Sequence, residues 1–147
     1  MAKCMYEVDD KNFVGEHDLS WVTFVVYNDI TDETVFSVRA EDELNLMDFD
    51  IRTDDYDDSE KFGKRGDKYV SEVNIRKDAE ILPDFRYYDP EGDEITISEA
   101  KRLFLDAGGR PDKFAYLLRQ IKKAAVKELV AGYSKWIENN VDADELE

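Results

Sequence analysis

Apolar and polar positions alternate with a period of two over the first two thirds of the chain and change to three- and four-residue spacing in the last third. The first pattern marks half-buried strands and the second an apolar helix face. Trp21-Val22-Thr23-Phe24-Val25-Val26-Tyr27 and Thr34-Val35-Phe36-Ser37-Val38-Arg39 are rich in β-branched and aromatic residues. The Asn-Asp-Ile-Thr-Asp-Glu stretch between them makes the pair a predicted hairpin. In the second run Phe36 and Val38 alternate with Val35, Ser37 and Arg39, which predicts one buried face. The first run is apolar on both faces, as in a central strand or one covered by a helix.

From Leu44 to Arg52, Met47, Phe49 and Ile51 alternate with Asp48, Asp50 and Arg52, which predicts a strand with its acids in solvent. A polar loop, Thr53 to Lys68, leads to a return strand over Tyr69 to Arg76, with Tyr69, Ser71, Val73 and Ile75 on one face. Phe85 to Tyr88 and Glu94 to Ile97 flank Asp89-Pro90-Glu91-Gly92-Asp93, a second hairpin with turn-forming residues at its tip.

Helix signals follow. Ser98 is placed to cap a short helix over Glu99 to Asp106, with Gly108-Gly109 as its stop. Arg110-Pro111-Asp112 opens a long helix, because proline suits a first turn. Phe114, Leu117, Leu118, Ile121, Ala124, Ala125, Leu129, Tyr133 and Trp136 make one apolar stripe along it. The stripe is read as core packing against the sheet, with a dimer seam as the alternative. Gly132 interrupts it, at about 1 kcal/mol of helix propensity relative to alanine.

Strands first and helices last predict an α+β fold: a mainly antiparallel sheet of about five or six strands, then a short helix and a long C-terminal amphipathic helix. Residues 1–140 read as a single domain and 141–147 as an acidic flexible tail. The 42% apolar content, with eight Phe, eight Tyr and two Trp, supports a packed core despite the charge. The first ten residues carry no signal-peptide core, no run approaches a membrane span, and the single Cys4 fits a reducing compartment, so the expected location is cytoplasmic.

Charge narrows the functional classes. Residues 1–100 carry −17, residues 101–140 carry +5 and residues 141–147 carry −4, for a net charge of −16. A field of that sign repels nucleic acid and attracts basic proteins. One histidine and one cysteine exclude the common zinc sets, and His17, between Glu16 and Asp18, reads as an exposed loop residue rather than a triad base. Cys4, near Glu7, Asp9 and Asp10, lacks the positive setting that favours a thiolate. No cofactor is expected.

Ten acids between Glu41 and Glu60 face Arg52 alone: Glu41, Asp42, Glu43, Asp48, Asp50, Asp54, Asp55, Asp57, Asp58 and Glu60. Alternate carboxylates on a strand lie about 6.6 Å apart and can present a row of negative charge much as a phosphate backbone does. The plainer reading is a solvated, solubilising surface. Asp89 to Glu99 has acids in a calcium-loop-like order, but it is one residue short and lacks the glycine after the third acid, so a β-turn leading to a helix is the expectation. Gly63-Lys64-Arg65-Gly66 lacks the spacing of a P-loop. Pro83-Asp84 with Glu99-Ala100-Lys101 resembles the PD-(D/E)xK pattern of metal-dependent nucleases, which implies two acids on Mg²⁺ and a lysine supporting the attacking water. The negative body opposes such a substrate. Arg119, Lys122, Lys123 and Lys127 form a basic ridge on the long helix, read as a solvated face or one that pairs with acids of this chain or a second copy.

The reading that results is a small acidic, non-catalytic binding protein that engages a basic surface of another protein, such as the nucleic-acid site of an enzyme. Its charge profile is similar to that of acidic inhibitors of phages and mobile elements. The contacting residues are expected to be Asp48, Asp50, Asp54, Asp55, Asp57 and Asp58, with no direct nucleic-acid or membrane partner. The alternatives are the Mg²⁺-dependent nuclease at Asp84, Glu99 and Lys101, and an assembly subunit forming a homodimer through the long helix.

Overall fold

The computed structural model describes residues 3–13, 19–43, 45–55 and 68–141. Within these residues seven strands and two α-helices follow in order: β1 (Cys4–Asn12), β2 (Leu19–Asn28), β3 (Thr34–Glu43), β4 (Phe49–Asp55), β5 (Lys68–Ile75), β6 (Asp84–Tyr88), β7 (Glu94–Ile95), α1 (Ile97–Asp106) and α2 (Pro111–Asn140). The fold is α+β. Strands β1-β2-β3-β6-β7 form a five-stranded antiparallel sheet, and β4-β5 form a separate two-stranded ribbon.

The alternation in β2 has a direct outcome. Val22, Phe24 and Val26 are fully buried, whereas Trp21, Thr23, Val25 and Tyr27 on the opposite face are half-buried. β2 lies between β1 and β3, so its two apolar faces belong to an interior strand. On β3, Phe36, Val38 and Ala40 join the core and Ser37, Arg39 and Glu41 turn to the other face. The register slips between Val26 and Tyr27, and Val35 is buried beside Phe36.

Both helices cover the Val22-Phe24 face. Phe114 packs against Phe36 and against Phe104 of α1, with centroids 6.0 and 5.4 Å apart. α2 buries Phe114, Leu117, Leu118, Ile121, Ala125, Leu129, Tyr133 and Ile137. The stripe thus ends on Ile137, one residue past the Trp136 that the sequence indicates, while Ala124 and Trp136 flank it half-buried. Gly132 is not a mere weak point. The Phe13 ring lies directly on it, and a Cβ there would come within 2.3 Å of Phe13 Cζ. Phe13 and Phe49 both meet the Tyr133 ring edge-on, at 6.0 and 6.1 Å, which ties the end of β1 and the ribbon to the helix.

Three local expectations need correction. The strand expected over Leu44 to Arg52 starts later: Leu44 lies outside the described residues, and Leu46–Asp48 form a 3-10 turn capped by Asn45 Oδ1 accepting from Met47 N at 3.0 Å. Met47 is therefore 78% exposed rather than inward, and β4 begins at Phe49. Strict alternation in the return strand fails at a register shift beside Arg52: Arg52 pairs with Glu72 and Thr53 with Val70, leaving Ser71 as the extra residue. That bulge keeps both Val70 and Val73 against the core and leaves Tyr69 exposed. Finally, α1 starts two residues earlier than expected. Its cap is Thr96, whose Oγ1 accepts from Glu99 N at 3.1 Å, and Ser98 lies inside the first turn.

The α1 stop is as the glycines indicate. Gly109 N donates to Phe104 O and Gly108 N to Leu105 O, with Gly108 at φ +92°, a left-handed turn that glycine adopts without a Cβ penalty. Among the described residues no helix is long and apolar enough to cross a membrane. His17, the 63–66 stretch and the 142–147 tail lie outside the described residues.

Candidate functional site

The predicted binding acids separate into two places. Asp50 and Asp54 stand on β4, opposite Asn74 and Tyr69, with Asp50 exposed and Asp54 half-buried. Between them Arg52 pairs across the strands with Glu72, so the ribbon carries mixed charge rather than an unbroken acidic row. Asp55 pairs with Lys68 in the ladder, and Asp57 and Asp58 lie outside the described residues.

Asp48 belongs to a different group. It ends the 3-10 turn, and its carbonyl accepts from Arg76 N at 2.9 Å, which fixes the turn to the segment leaving β5. There it joins Asp42 and Glu43 at the end of β3 and Asp84 at the start of β6. β3 and β6 run antiparallel with Glu41 opposite Asp84, so the last acids of one strand meet the first acid of the other. Asp42 is the centre of this corner. Burial pushes its carboxyl above the usual range, and the charges of Asp48, Asp84 and Glu43 push it further. The hydrogen bond it accepts from Glu43 N, at 2.9 Å, acts in the opposite direction.

The corner backs onto the core at Tyr133. That side chain is 1% exposed, beside Ser20, the one buried polar residue among those described, and Ser20 pairs with Asp42 in the β2-β3 ladder. Burial, then the charge of Asp42, holds the Tyr133 phenol well above its ordinary range. Its hydroxyl lies near Ser20 without full hydrogen-bond geometry to any described group. A carboxylate at Asp42 is thus disfavoured from both sides: by apolar packing below and by like charge around it.

Other acids are already engaged. Glu41 Oε1 lies 2.9 Å from Arg39 Nε and 3.7 Å from Arg86 Nε, and Arg86 Nη1 lies 3.1 Å from Glu94 Oε1. Asp89 fastens its own turn: Oδ1 accepts from Glu91 N at 3.1 Å and from Asp93 N at 2.8 Å, while Gly92 takes φ +89°. The calcium-like spacing there belongs to a β-turn. Glu99 and Lys101 are exposed on α1, with Glu99 Oε1 3.2 Å from Thr96 Oγ1, so the acid and lysine of the nuclease-like pattern sit on a helix start and not on a strand. Among the described residues no group of three or more His, Cys, Asp or Glu side chains is placed to hold a metal ion. Cys4 is half-buried on β1, and burial, followed by the charge of Asp29, raises its thiol.

The basic ridge is exposed at Arg119, Lys122, Lys123 and Lys127. Lys122 Nζ sits 5.2 Å from the Phe85 ring, one residue from Asp84, which brings the ridge to the border of the acidic corner. A groove of about 450 Å³ runs along the last turns of α2 under Phe13, with Lys11, Lys135 and Trp136 on its walls.

Sequence reasoning located Asp48 and missed its neighbours Asp42, Glu43 and Asp84 as a group. The acidic run was visible, but Asp84 joins it only through the β3-β6 pairing, for which no local pattern exists. Comparison of the chain with protein-family models, with curated proteins and with solved structures gives no match.

Proposed function

We propose that this chain is a non-catalytic binding protein whose acidic corner, continued by Asp50 and Asp54 on the ribbon, engages a basic surface of another macromolecule. A nucleic-acid-binding site is the surface that suits it, because such a site is built to neutralise closely spaced negative charge. The observation that carries the reading is the convergence of Asp42, Glu43, Asp48 and Asp84 from three separate segments, at the electrostatic cost seen in the raised Asp42 carboxyl. A cationic partner would relieve that cost, since an opposite charge within about 4–6 Å favours the ionised carboxyl.

Affinity capture from lysate at low and high salt tests it. The wild-type chain is expected to retain a basic protein that salt releases and that added duplex DNA displaces. A variant with Asp48→Asn, Asp50→Asn, Asp54→Asn and Asp84→Asn is expected to bind that protein about tenfold to a hundredfold more weakly, from a few exposed ion pairs at roughly 0.2–1 kcal/mol each. Equal retention of the same protein by the variant would rule the surface out.

A further inference from the structure

Two connections join the five-stranded sheet to the ribbon. One, through residues 45–48, leads from β3 to β4, and the other, through residues 76–83, leads from β5 to β6. β3 pairs with β6 and β4 with β5, so both connections bridge the same two places and run side by side. Arg76 N, donating to Asp48 O at 2.9 Å, fastens one to the other.

Each connection holds one large apolar side chain outward. Met47 is 78% exposed and Leu82 71%, the two most exposed large apolar side chains among the described residues. Met47 sits on the 3-10 turn that Asn45 caps. Leu82 stands between Ile81, which is buried, and Pro83, whose ring fixes its own φ. The backbone that presents both residues is thus set before any contact is made, which lowers the entropy lost on binding.

A lone exposed leucine on a protein surface is ordinary. This pair differs by its neighbours. Met47 directly precedes Asp48, and Leu82 lies two residues before Asp84. Asp48 and Asp84 both act on the Asp42 carboxyl, so the two apolar side chains stand at the rim of one acidic corner. The cations of the connections are offset there: Asp78 lies 3.1 Å from Arg76, and Glu80 follows Lys77. At the base of the corner Tyr133, 1% exposed, feels the charges of Asp42 and Glu43, and its hydroxyl has no partner of full hydrogen-bond geometry among the described residues.

Charge and apolar surface together select one kind of occupant. A nucleic acid is repelled, and a purely cationic surface leaves Met47 and Leu82 in water. An apolar surface without cations has to bury carboxylates unpaired, which is costly. A protein segment that carries Lys or Arg beside Leu, Ile or Phe satisfies both, and the flexible methionine packs readily against such side chains.

We infer that the occupant of the acidic corner is a protein segment in which cations flank apolar side chains, with Met47 and Leu82 as the apolar anchor points. This rests on the corner engaging a basic surface, and adds that the contact is made by apolar burial as well as by charge.

Binding of the full chain to two synthetic peptides, followed by fluorescence anisotropy from about 0.15 M salt upward, tests this. One peptide, of about 15 residues, interleaves Lys with Leu, and the other is an oligolysine of the same charge. The wild type is expected to bind the mixed peptide about tenfold more tightly than the oligolysine and to keep more of that affinity at high salt, because apolar burial is not screened. The variant with Met47→Ser and Leu82→Ser, its circular dichroism spectrum unchanged, is expected to lose about tenfold towards the mixed peptide and nothing towards the oligolysine. Should that variant fail to fold, Leu82→Ala decides, with part of the same loss expected. A folded variant that binds the mixed peptide as tightly as the wild type overturns the inference, as does equal wild-type affinity for the two peptides. The reading of the corner fails separately: it falls if the variant with Asp48, Asp50, Asp54 and Asp84 changed to Asn binds both peptides with undiminished affinity and salt dependence.

Discussion

Asp42 shows how much a single residue's setting differs from its composition class. It is one of 36 acids, yet burial and three neighbouring carboxylates raise its affinity for a proton. An acid whose carboxyl is raised in the folded chain above its ordinary value of 3.8 holds more proton there than in the unfolded chain within the window between the two values. Stability from this group is full below the lower value and falls as pH rises through the window. Asp42→Asn keeps an oxygen to accept from Glu43 N and removes the charge. The variant is expected to be more stable than the wild type at neutral pH, on the order of 0.5 kcal/mol, with the difference disappearing as pH falls below the window. Thermal melts of both proteins across that range measure it; a wild type as stable as the variant at neutral pH would show that the corner imposes no such cost.

At the scale of elements, what was legible in the sequence is what has a local cause. The β2-β3 hairpin follows from the alternation of Val22, Phe24 and Val26 with a half-exposed set, and α2 from Pro111 and its stripe. The bulge at Ser71 was not legible, because only packing of both Val70 and Val73 on the core calls for it. Thr96 and Ser98 are equally good caps by type; the end of β7 at Ile95 decides between them. Thr96→Ala is therefore expected to cost about 1 kcal/mol and Ser98→Ala much less, in paired denaturant melts. Gly132 is a propensity defect by sequence and the seat of the Phe13 ring in the fold. In the wild type Gly132→Ala forces the ring away and is expected to cost roughly 1–3 kcal/mol, as overpacking does. In a Phe13→Ala background the same change is expected to gain up to about 1 kcal/mol, the helix preference for alanine. A double-mutant cycle showing no coupling between the two positions would deny the contact its role.

For the whole molecule, net charge alone separates neither a solubilising surface from a binding one nor one face from another. The fold divides the charge into three regions: an acidic corner where Asp42, Glu43, Asp48 and Asp84 oppose one another, ion pairs that link Arg39, Glu41, Arg86 and Glu94 on the sheet, and a basic ridge on α2. The candidate acids were half legible. Asp48, Asp50 and Asp54 lie in the acidic run itself, whereas Asp84 reaches the corner by a pairing between strands far apart in sequence, and Arg52 with Glu72 breaks the row that alternation alone implied. Of the three regions, only the corner concentrates charge of one sign on more than one segment, which is why it carries the proposed function. The decisive measurement is the salt dependence of affinity for the captured basic protein, compared between the wild type and the variant with Asp48, Asp50, Asp54 and Asp84 changed to Asn. A steep fall in wild-type affinity with rising salt, and a weaker, flatter dependence in the variant, is the predicted result; identical affinities and slopes for the two proteins would contradict it.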